Sequence, residues 1–243
     1  MQEQQITKNP KSLKIYLITS IIFATLIITL FIIQIHQYQK IIQKNKEEIQ
    51  VEKPTLKKIK TEININEQGA KCDGKTDDTK IWQETLNQLP EQGGLIEFEG
   101  TCIVSGLKIK KHGTGIKGKS KYSSILKQNN NSENKPVIQT NKKSGLIIKN
   151  LKIDGNNKKV TGINITNTYY SIFENIDIRN TQKKAWIIEH SNDNTFTNCQ
   201  AHNINSSAWY INKESQHNTF ISTGAEHAKE YGIINKGIGN IFL

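Results

Sequence analysis

Arginine and aromatic residues are scarce in this 243-residue chain, and their scarcity excludes some functions. Arg179 is the only arginine, although the formal net charge is +11, and about half of that charge lies before residue 61. Recognition of nucleic-acid bases relies on arginine forks and aromatic stacking. We therefore expect a lysine-rich solvated surface and no nucleic-acid partner.

Cysteine is also rare. Cys72, Cys102 and Cys199 are too few and too scattered for a disulfide framework, and they lack the spacing typical of a zinc site. We expect each cysteine to be buried as a small apolar residue, with a Cys72–Cys102 bridge as the open alternative. The residues themselves indicate no metal and no cofactor.

A long apolar run lies near the N-terminus. Residues 15–33 read IYLITSIIFATLIITLFII, which as a helix is long enough to cross the roughly 30 Å hydrocarbon layer of a membrane. A cleaved signal peptide is the alternative, but the run exceeds the usual apolar region and no A-x-A-like site follows it. We therefore predict a single-pass membrane protein. Its parts are a basic tail at 1–14, a transmembrane anchor at 15–35, a polar stalk or linker at 36–64 and a folded domain at 65–243.

The orientation of this anchor does not follow from charge, because lysines flank both ends of the apolar run. We expect the cell to export the folded domain, on account of the motifs and repeats that are described below. On that ground we predict a cytoplasmic N-terminus and an extracytoplasmic domain.

The folded domain opens with a loop, a helix and a strand. Residues 69–82 read GAKCDGKTDDTKIW, and residues 93–100 read GGLIEFEG. Asp77 or Asp78 can accept hydrogen bonds from the free amides at the start of the helix. Apolar residues then recur at helical spacing until Pro90, and a strand follows from Leu95.

A unit of about 22–25 residues recurs in the second half of the chain. Its first strand reads GLIIKNLKIDG at Gly145, YSIFENIDIRN at Tyr170, NTFTNCQAHN at Asn194 and NTFISTGAEH at Asn218. Its second strand reads GINIT at Gly162, AWIIE at Ala185, AWYIN at Ala208 and YGIIN at Tyr231. Short strands between Asn-rich and Gly-rich turns at this period predict the coils of a parallel β-helix. A leucine-rich repeat would need leucines that this region lacks.

The opening motifs and the repeats together resemble the pectate-lyase-like superfamily, which includes rhamnogalacturonases, polygalacturonases, epimerase-like proteins and phage tailspikes. The resemblance covers about residues 65–243. It implies an all-β, right-handed parallel β-helix whose N-terminal helix covers the end of the solenoid, with Asp77 and Asp78 in structural roles. It also implies an acidic polysaccharide as partner and a lyase or glycoside hydrolase as the enzyme class. This resemblance is the only ground for expecting calcium as a cofactor.

Alternation along the strands predicts which side chains face inward. The two inward stacks are Leu151, Ile176, Cys199 and Thr223, and Ile153, Ile178, Ala201 and Ala225. Asn150, Asn175 and Asn198 recur at a strand bend and are similar to the asparagine ladders of the superfamily.

The residues between these stacks form two outward columns. They are Lys152, Asp177, Gln200 and Gly224, and Asp154, Arg179, His202 and Glu226. Coils about 4.8 Å apart put Asp154 and Asp177 roughly 8 Å from each other, which is within the range of an inverting acid and base pair. Arg179 would neutralise a uronate carboxylate or, as in the pectate lyases that the chain resembles, abstract a proton, and His202 would assist proton transfer.

The candidate catalytic residues are therefore Asp154, Asp177, Arg179 and His202. A solvated surface of stacked opposite charges is the structural alternative. His190, His217 and His227 are predicted to be turn or surface residues. The sequence lacks the polygalacturonase signatures and the aspartate cluster by which calcium-dependent lyases hold their metal.

The sequence ends at Leu243, directly after a strand begins at Ile241. An open apolar coil predicts an oligomer or a partner that covers it, or else a truncated family member. Three functions therefore stay open. They are binding or cleavage of an acidic polysaccharide, a non-catalytic adhesion or structural module of the cell surface, and a truncated remnant.

Overall fold

The structure is a computed structural model that describes residues 25, 29–30, 32–37, 39–40, 61–131 and 134–243. The chain divides into two compact units, Met1–Lys53 and Pro54–Leu243. The described residues of the first unit are helical. Among all the residues that the structure describes, no helix is long and apolar enough to cross a membrane. Most of the predicted tail, anchor and stalk lies outside the described residues, so these three stay predictions.

The second unit is a solenoid of short strands. Its helix α1 spans Thr79–Gln88. Its strands are β1 (Glu62–Asn64), β2 (Asp73–Asp77), β3 (Leu95–Phe98), β4 (Gly100–Val104), β5 (Leu107–Ile109), β6 (Gly115–Gly118), β7 (Ser124–Gln128), β8 (Ile138–Ser144), β9 (Ile147–Lys158), β10 (Ile163–Tyr169), β11 (Ile172–Thr181), β12 (Trp186–Glu189), β13 (Thr195–Thr197), β14 (Gln200–Ile204), β15 (Trp209–Ile211), β16 (Thr219–Ile221), β17 (Gly224–Ala228), β18 (Ile233–Asn235) and β19 (Ile241–Phe242).

The strands stack in parallel on three faces. Face one contains β1, β3, β6, the first part of β9 and β11, β13, β16 and β19. Face two contains β2, β4, β7, the second part of β9 and β11, β14 and β17. Face three contains β5, β8, β10, β12, β15 and β18. This arrangement confirms the predicted parallel β-helix.

Helix α1 packs on the first coil, where the sequence predicts a helix. Trp82, Thr85 and Leu86 are buried, as expected for the apolar side of the helix. The ring of Trp82 lies edge-on to Phe98 of β3, with 5.2 Å between the ring centroids. The side chain of Gln83 accepts a hydrogen bond from the Lys108 amide at 2.8 Å and donates one to the Lys108 carbonyl at 3.0 Å. The helix is thereby attached to β5.

The two aspartates at the start of the helix have structural roles. Asp77 Oδ1 accepts a hydrogen bond from the Thr79 amide at 2.9 Å, which caps the first turn. Asp78 is fully buried, and its carboxylate accepts hydrogen bonds from the amides of Lys71 and Cys72 at 2.8 and 3.0 Å. The buried carboxylate therefore fixes the loop before β2 instead of capping the helix.

Aromatic rings fill the interior of the later coils. Phe173, Phe196 and Phe220 stack on face one with successive centroids 4.8 Å apart. Trp186 and Trp209 stack on face three at 4.7 Å and meet the phenylalanines edge-on. The ring spacing equals the distance between coils, because each coil places the same kind of side chain at the same position.

Asparagine ladders confirm the period of the solenoid. Asn175 Nδ2 donates to Asn150 Oδ1 at 3.0 Å, and Asn198 Nδ2 donates to Asn175 Oδ1 at 3.1 Å, across 25 and 23 residues. All three residues have φ between 51° and 57°, the left-handed conformation that asparagine tolerates. The predicted ladder is therefore present, at the bend between faces one and two.

A second ladder lies inside the solenoid. Asn194 Nδ2 donates to Asn218 Oδ1, and Asn218 Nδ2 donates to Asn240 Oδ1, both at 3.0 Å. Asn194 and Asn218 are almost completely buried. Their side chains also bond backbone groups of the neighbouring coils, so the polar interior at this turn is satisfied.

All three cysteines are buried as predicted, but for Cys72 and Cys102 the alternative of a bridge applies. Cys72 and Cys102 form a disulfide, because β2 pairs with β4 and thereby brings the two cysteines onto adjacent coils. Cys199 is a free, buried thiol, and burial raises its pKa to about 12. It therefore occupies the interior as a small apolar residue, as predicted.

The two predicted inward stacks are buried wherever a following coil covers them. Leu151, Ile176 and Cys199 are buried, and so are Ile153, Ile178 and Ala201. Thr223 and Ala225 belong to the last coil and are partly or fully exposed. Ile241, Phe242 and Leu243 are exposed as well, so a partner or oligomer that covers this coil stays a prediction.

Candidate functional site

The strand register places the two outward columns of face two as predicted. Asp177 pairs with Lys152 of the preceding coil and with Gln200 of the following one. In the second column, Arg179 pairs with Asp154 and with His202. His202 in turn pairs with Glu226, and Gln200 with Gly224. The candidate residues therefore lie on three successive coils of one face.

Asp177 and Arg179 form an ion pair along one strand. Arg179 Nε donates a hydrogen bond to Asp177 Oδ2 at 2.8 Å, and Arg179 Nη2 lies at 2.8 Å from the same oxygen. Only 5% of the Asp177 side chain is exposed, whereas the Arg179 side chain is 41% exposed. The buried carboxylate therefore orients a guanidinium whose other donors face solvent.

His202 extends this pair to the next coil. Its Nε2 lies 3.6 Å from Asp177 Oδ1, and its Nδ1 lies 2.8 Å from Glu226 Oε2. Within the described residues Asp177 Oδ1 is buried and forms no hydrogen bond, because the His202 nitrogen lies beyond hydrogen-bond distance. The imidazole is held between two carboxylates on two different coils. We call Asp177, Arg179, His202 and Glu226 the charged cluster.

Asp154 does not join the charged cluster. Its Oδ1 accepts hydrogen bonds from the Asn156 amide at 2.8 Å and from Asn180 Nδ2 at 3.1 Å. These bonds close a turn at Gly155, where a Cβ atom would lie 2.6 Å from the Asn180 carbonyl oxygen. The carboxylate thus stabilises the turn at the end of face two.

The four predicted residues therefore fall into two groups. The inverting pair required Asp154 and Asp177 to act together on one bond, but each carboxylate is bonded to a different part of the protein. The catalytic roles of the four residues therefore stay predictions. Glu226 was placed in the correct column by the sequence, but its contact with His202 was missed. The 24-residue spacing between them was the available signal.

Side chains that could bind a metal come together at one place in the described part of the chain. Sγ of Cys72, Sγ of Cys102 and a carboxylate oxygen of Asp78 lie within 4.8 Å of one another. The two sulfurs are bonded to each other, and Asp78 accepts two amide hydrogen bonds. This buried cluster is structural. Residues 61–131 and 134–243 offer no further cluster of three such ligands, so they do not fit the oxygen-rich site that calcium prefers.

Solved structures with the same architecture come from proteins of very different sequence. The A-module of mannuronan C-5 epimerase AlgE4 from Azotobacter vinelandii is 18% identical, with a TM-score of 0.64 over 70% of this chain and 52% of that one. ORF18 of Geobacillus virus E2 is 21% identical, with a TM-score of 0.59 over 67% of this chain and 41% of that one. A protein of Parabacteroides merdae described as a glycosyl hydrolase is 13% identical, with a TM-score of 0.62 over 75% and 97%.

At these identities the likeness concerns the fold alone. This chain spans about half or less of the length of the viral and epimerase structures. No curated protein matches the sequence. The family described as "Right handed beta helix region" matches residues 94–242, which is more than half of the chain. The match agrees with the three parallel faces and confirms the predicted superfamily: the chain belongs to the right-handed β-helix family.

Proposed function

We propose that this protein binds an acidic polysaccharide along face two. The observation that carries the proposal is the half-exposed guanidinium of Arg179, which the buried Asp177 carboxylate holds in one orientation. A planar guanidinium fixed in this way is suited to the carboxylate of a uronate. The epimerase and glycosyl hydrolase among the solved structures act on carbohydrates by name, which supports the same class of ligand.

The faces of the solenoid suit a long ligand. Face two repeats at every coil, so a polysaccharide chain that runs along it meets similar positions on successive coils. Lys127 and Lys152 lie on the same outward side of β7 and β9 and have no ion-pair partner among the described residues. They extend the positive charge of Arg179 toward the N-terminal coils.

A lyase is the second candidate, and the position of His202 favours it. Glu226 holds Nδ1 of the imidazole, and the ring lies beside the arginine that would bind the uronate carboxylate. In such a reaction His202 takes the proton next to the carboxylate, a double bond forms, and the glycosidic carbon–oxygen bond breaks. The leaving oxygen takes up a proton from solvent water, and His202 returns its proton to solvent.

One experiment tests the binding proposal and the lyase together. Full-length protein is mixed with a panel of uronate polysaccharides and with neutral ones, and bound polysaccharide, new reducing ends and the absorbance of unsaturated products are measured. We expect binding to the uronates, and Arg179→Lys weakens it about tenfold because the fork of donors is lost. The matched control is Lys110→Gln, since Lys110 is exposed and lies outside face two.

The outcomes separate the candidates. Binding without unsaturated products or new reducing ends leaves a binding module of the cell surface and rules out the lyase. Unsaturated products that His202→Gln abolishes establish the lyase. Equal binding of neutral and acidic polysaccharides, or no binding at all, contradicts the proposed function.

We further propose that residues 15–35 anchor the chain in a membrane with the solenoid on the extracytoplasmic side. Two observations support this location. Residues 15–33 form an uncharged apolar run of membrane-spanning length. The Cys72–Cys102 disulfide is typical of oxidising compartments. Protease added to intact cells should remove the solenoid from the anchor, and complete resistance until the cells are lysed would contradict the orientation.

A further inference from the structure

A polar cleft opens where the strands of face two end. Its volume is about 360 Å³, near the lower end of the range typical of small-ligand sites. We call it the corner cleft. The residues that line it and enter the argument are Asn157, Gln182, Asn203, Asn205, His227 and Lys229. Asn157 and Asn203 lie at the ends of β9 and β14, and Gln182 and Asn205 directly follow β11 and β14. His227 lies in β17 and Lys229 directly follows it, so the cleft spans several coils.

The walls of the corner cleft are fixed by the backbone. Asn157, Asn203 and His227 have φ of 53°, 56° and 55°, and this left-handed conformation turns the chain at the same edge of each coil. Gln182 Nε2 donates a hydrogen bond to the Asn157 carbonyl at 2.8 Å, which joins two coils. His227 lies in β17 and is exposed, so the prediction of a turn or surface residue is confirmed as a surface residue, and His227 also lines this cleft.

Several polar groups of the cleft are unused by the protein. Within the described part of the chain, the side chains of Asn157, Asn205, His227 and Lys229 form no hydrogen bond and no ion pair. Amide groups both donate and accept hydrogen bonds, as sugar hydroxyls require, and Lys229 offers three further donors with a positive charge. The free groups therefore match a ligand that carries hydroxyls.

The charges of the residues in and around the corner cleft favour an anionic ligand. None of the described residues that line the cleft carries a carboxylate. Glu226, which precedes His227, is bonded to His202, and Glu230, which follows Lys229, accepts hydrogen bonds from Ser206 and Ser207 at 2.9 Å. The hydrogen bonds from Ser207 and Ser206 hold the pKa of Glu230 below its usual range. Lys229 thus remains available to an anion.

We propose that the corner cleft binds one uronate unit of the polysaccharide, with the carboxylate at Lys229 and the sugar hydroxyls at Asn157 and Asn205. This inference rests on the proposed function, because the cleft lies beside the charged cluster. His227 directly follows Glu226, and Asn203 directly follows His202. A polysaccharide that meets Arg179 on face two therefore reaches the corner cleft with a neighbouring sugar.

Calorimetric titration of the full-length protein tests the assignment. The probes are a hexameric oligouronate and the same hexamer with its carboxylates methyl-esterified. The variants are Lys229→Gln and Asn205→Ala in the cleft, Arg179→Lys on face two and Lys110→Gln as the matched control. We expect Lys229→Gln and Asn205→Ala each to weaken oligouronate binding by about tenfold, because each variant loses a hydrogen bond to the ligand, which is charge-assisted at Lys229. Lys110→Gln leaves binding unchanged.

The failures of the two proposals are distinguishable. If Arg179→Lys weakens binding while both cleft variants bind as tightly as the wild type, the cleft assignment is overturned and the proposed function stands. If the wild type binds no oligouronate, both are overturned. Equal affinity for the esterified hexamer overturns the role of Lys229. Thermal unfolding of each variant is measured alongside. Because the side chains of Lys229 and Asn205 form no hydrogen bond and no ion pair with the described residues, the two cleft variants should unfold at the midpoint of the wild type.

Discussion

Arg179 Nε donates a hydrogen bond of 2.8 Å to Oδ2 of Asp177, two residues earlier on the same strand. The register pairs Arg179 with Asp154 of the preceding coil, yet the guanidinium bonds the carboxylate of its own strand. The two aspartates, which the sequence predicts to lie roughly 8 Å apart, therefore have different hydrogen-bond partners. Asp177 positions Arg179, and its catalytic role stays a prediction.

Breaking this ion pair from one side should destabilise the solenoid. Arg179→Gln leaves the nearly buried Asp177 carboxylate without its guanidinium, and we expect the free energy of unfolding to fall by about 1–3 kcal/mol. Asp177→Asn in the same chain removes the uncompensated charge, so the double variant should recover part of the loss. Chemical denaturation of the wild type, both single variants and the double variant gives the coupling. Strictly additive losses would show that the pair contributes nothing.

The asparagine ladder makes a second prediction about stability. Asn175→Ala removes two hydrogen bonds between coils. It also leaves, at a φ of 53°, a residue that has a Cβ atom but no polar side chain to stabilise the left-handed conformation. Asn175→Gly removes the same bonds without the backbone strain. We expect alanine to lower the free energy of unfolding by about 1 kcal/mol more than glycine. Equal losses in denaturant titrations would mean that the left-handed conformation carries no cost here.

The cysteines can be counted by alkylation. Burial raises the pKa of Cys199 to about 12, so its thiolate is scarce at neutral pH, and the thiol is also inaccessible. Mass spectrometry should find no alkylated cysteine in the folded protein, Cys199 alone after denaturation, and all three cysteines after denaturation with reduction. Alkylation of Cys72 or Cys102 without a reductant would contradict the disulfide.

His112 should make stability depend on pH. Desolvation, together with Lys143, lowers the pKa of His112 below its ordinary 6.5, while the ring is 2.9 Å from the hydroxyl of Ser144. Protonation is therefore less favourable in the folded state than in the unfolded one. The contribution to stability is complete above pH 6.5 and is lost as the pH falls from there toward the lowered pKa.

Thermal unfolding measured between pH 7.5 and 5.0 checks this prediction. This interval covers about one to two pH units around the pKa of an ordinary histidine. His112→Gln should flatten the dependence on pH. His227→Gln is the matched control, because the His227 side chain forms no hydrogen bond and no ion pair with the described residues, whereas His112 Nδ1 contacts Ser144. An unaltered slope in His112→Gln would place the dependence elsewhere.

The sequence predicted the solenoid because every coil repeats the same physical requirement. Inward positions such as Ile153 and Ile178 must be apolar, and the bend at Asn150 and Asn175 requires a left-handed residue. These repeats fixed the register, so the columns on face two were placed correctly. The stack of Phe173, Phe196 and Phe220 was visible in the same repeats but was not recognised.

The repeat pattern does not predict the side-chain contacts within the site. Alternation determines which residues share a face, but the side-chain conformation decides whether Arg179 bonds Asp154 or Asp177. The Cys72–Cys102 bridge arises only when the first coils close, since 30 residues separate the two sulfurs along the chain. The corner cleft likewise depends on turns whose left-handed backbone is not specified by asparagine alone.

Hydroxyl-radical footprinting with a hexameric oligouronate tests the central claim most directly, because it reports where the ligand lies. His202 belongs to the charged cluster and His227 lines the corner cleft, whereas His190 lies at a different corner of the solenoid and is exposed. We predict that the oligouronate lowers the oxidation of His202 and His227 and leaves that of His190 and the exposed Tyr122 unchanged. Protection of His190 or Tyr122 with none at His202 and His227 would contradict binding along face two.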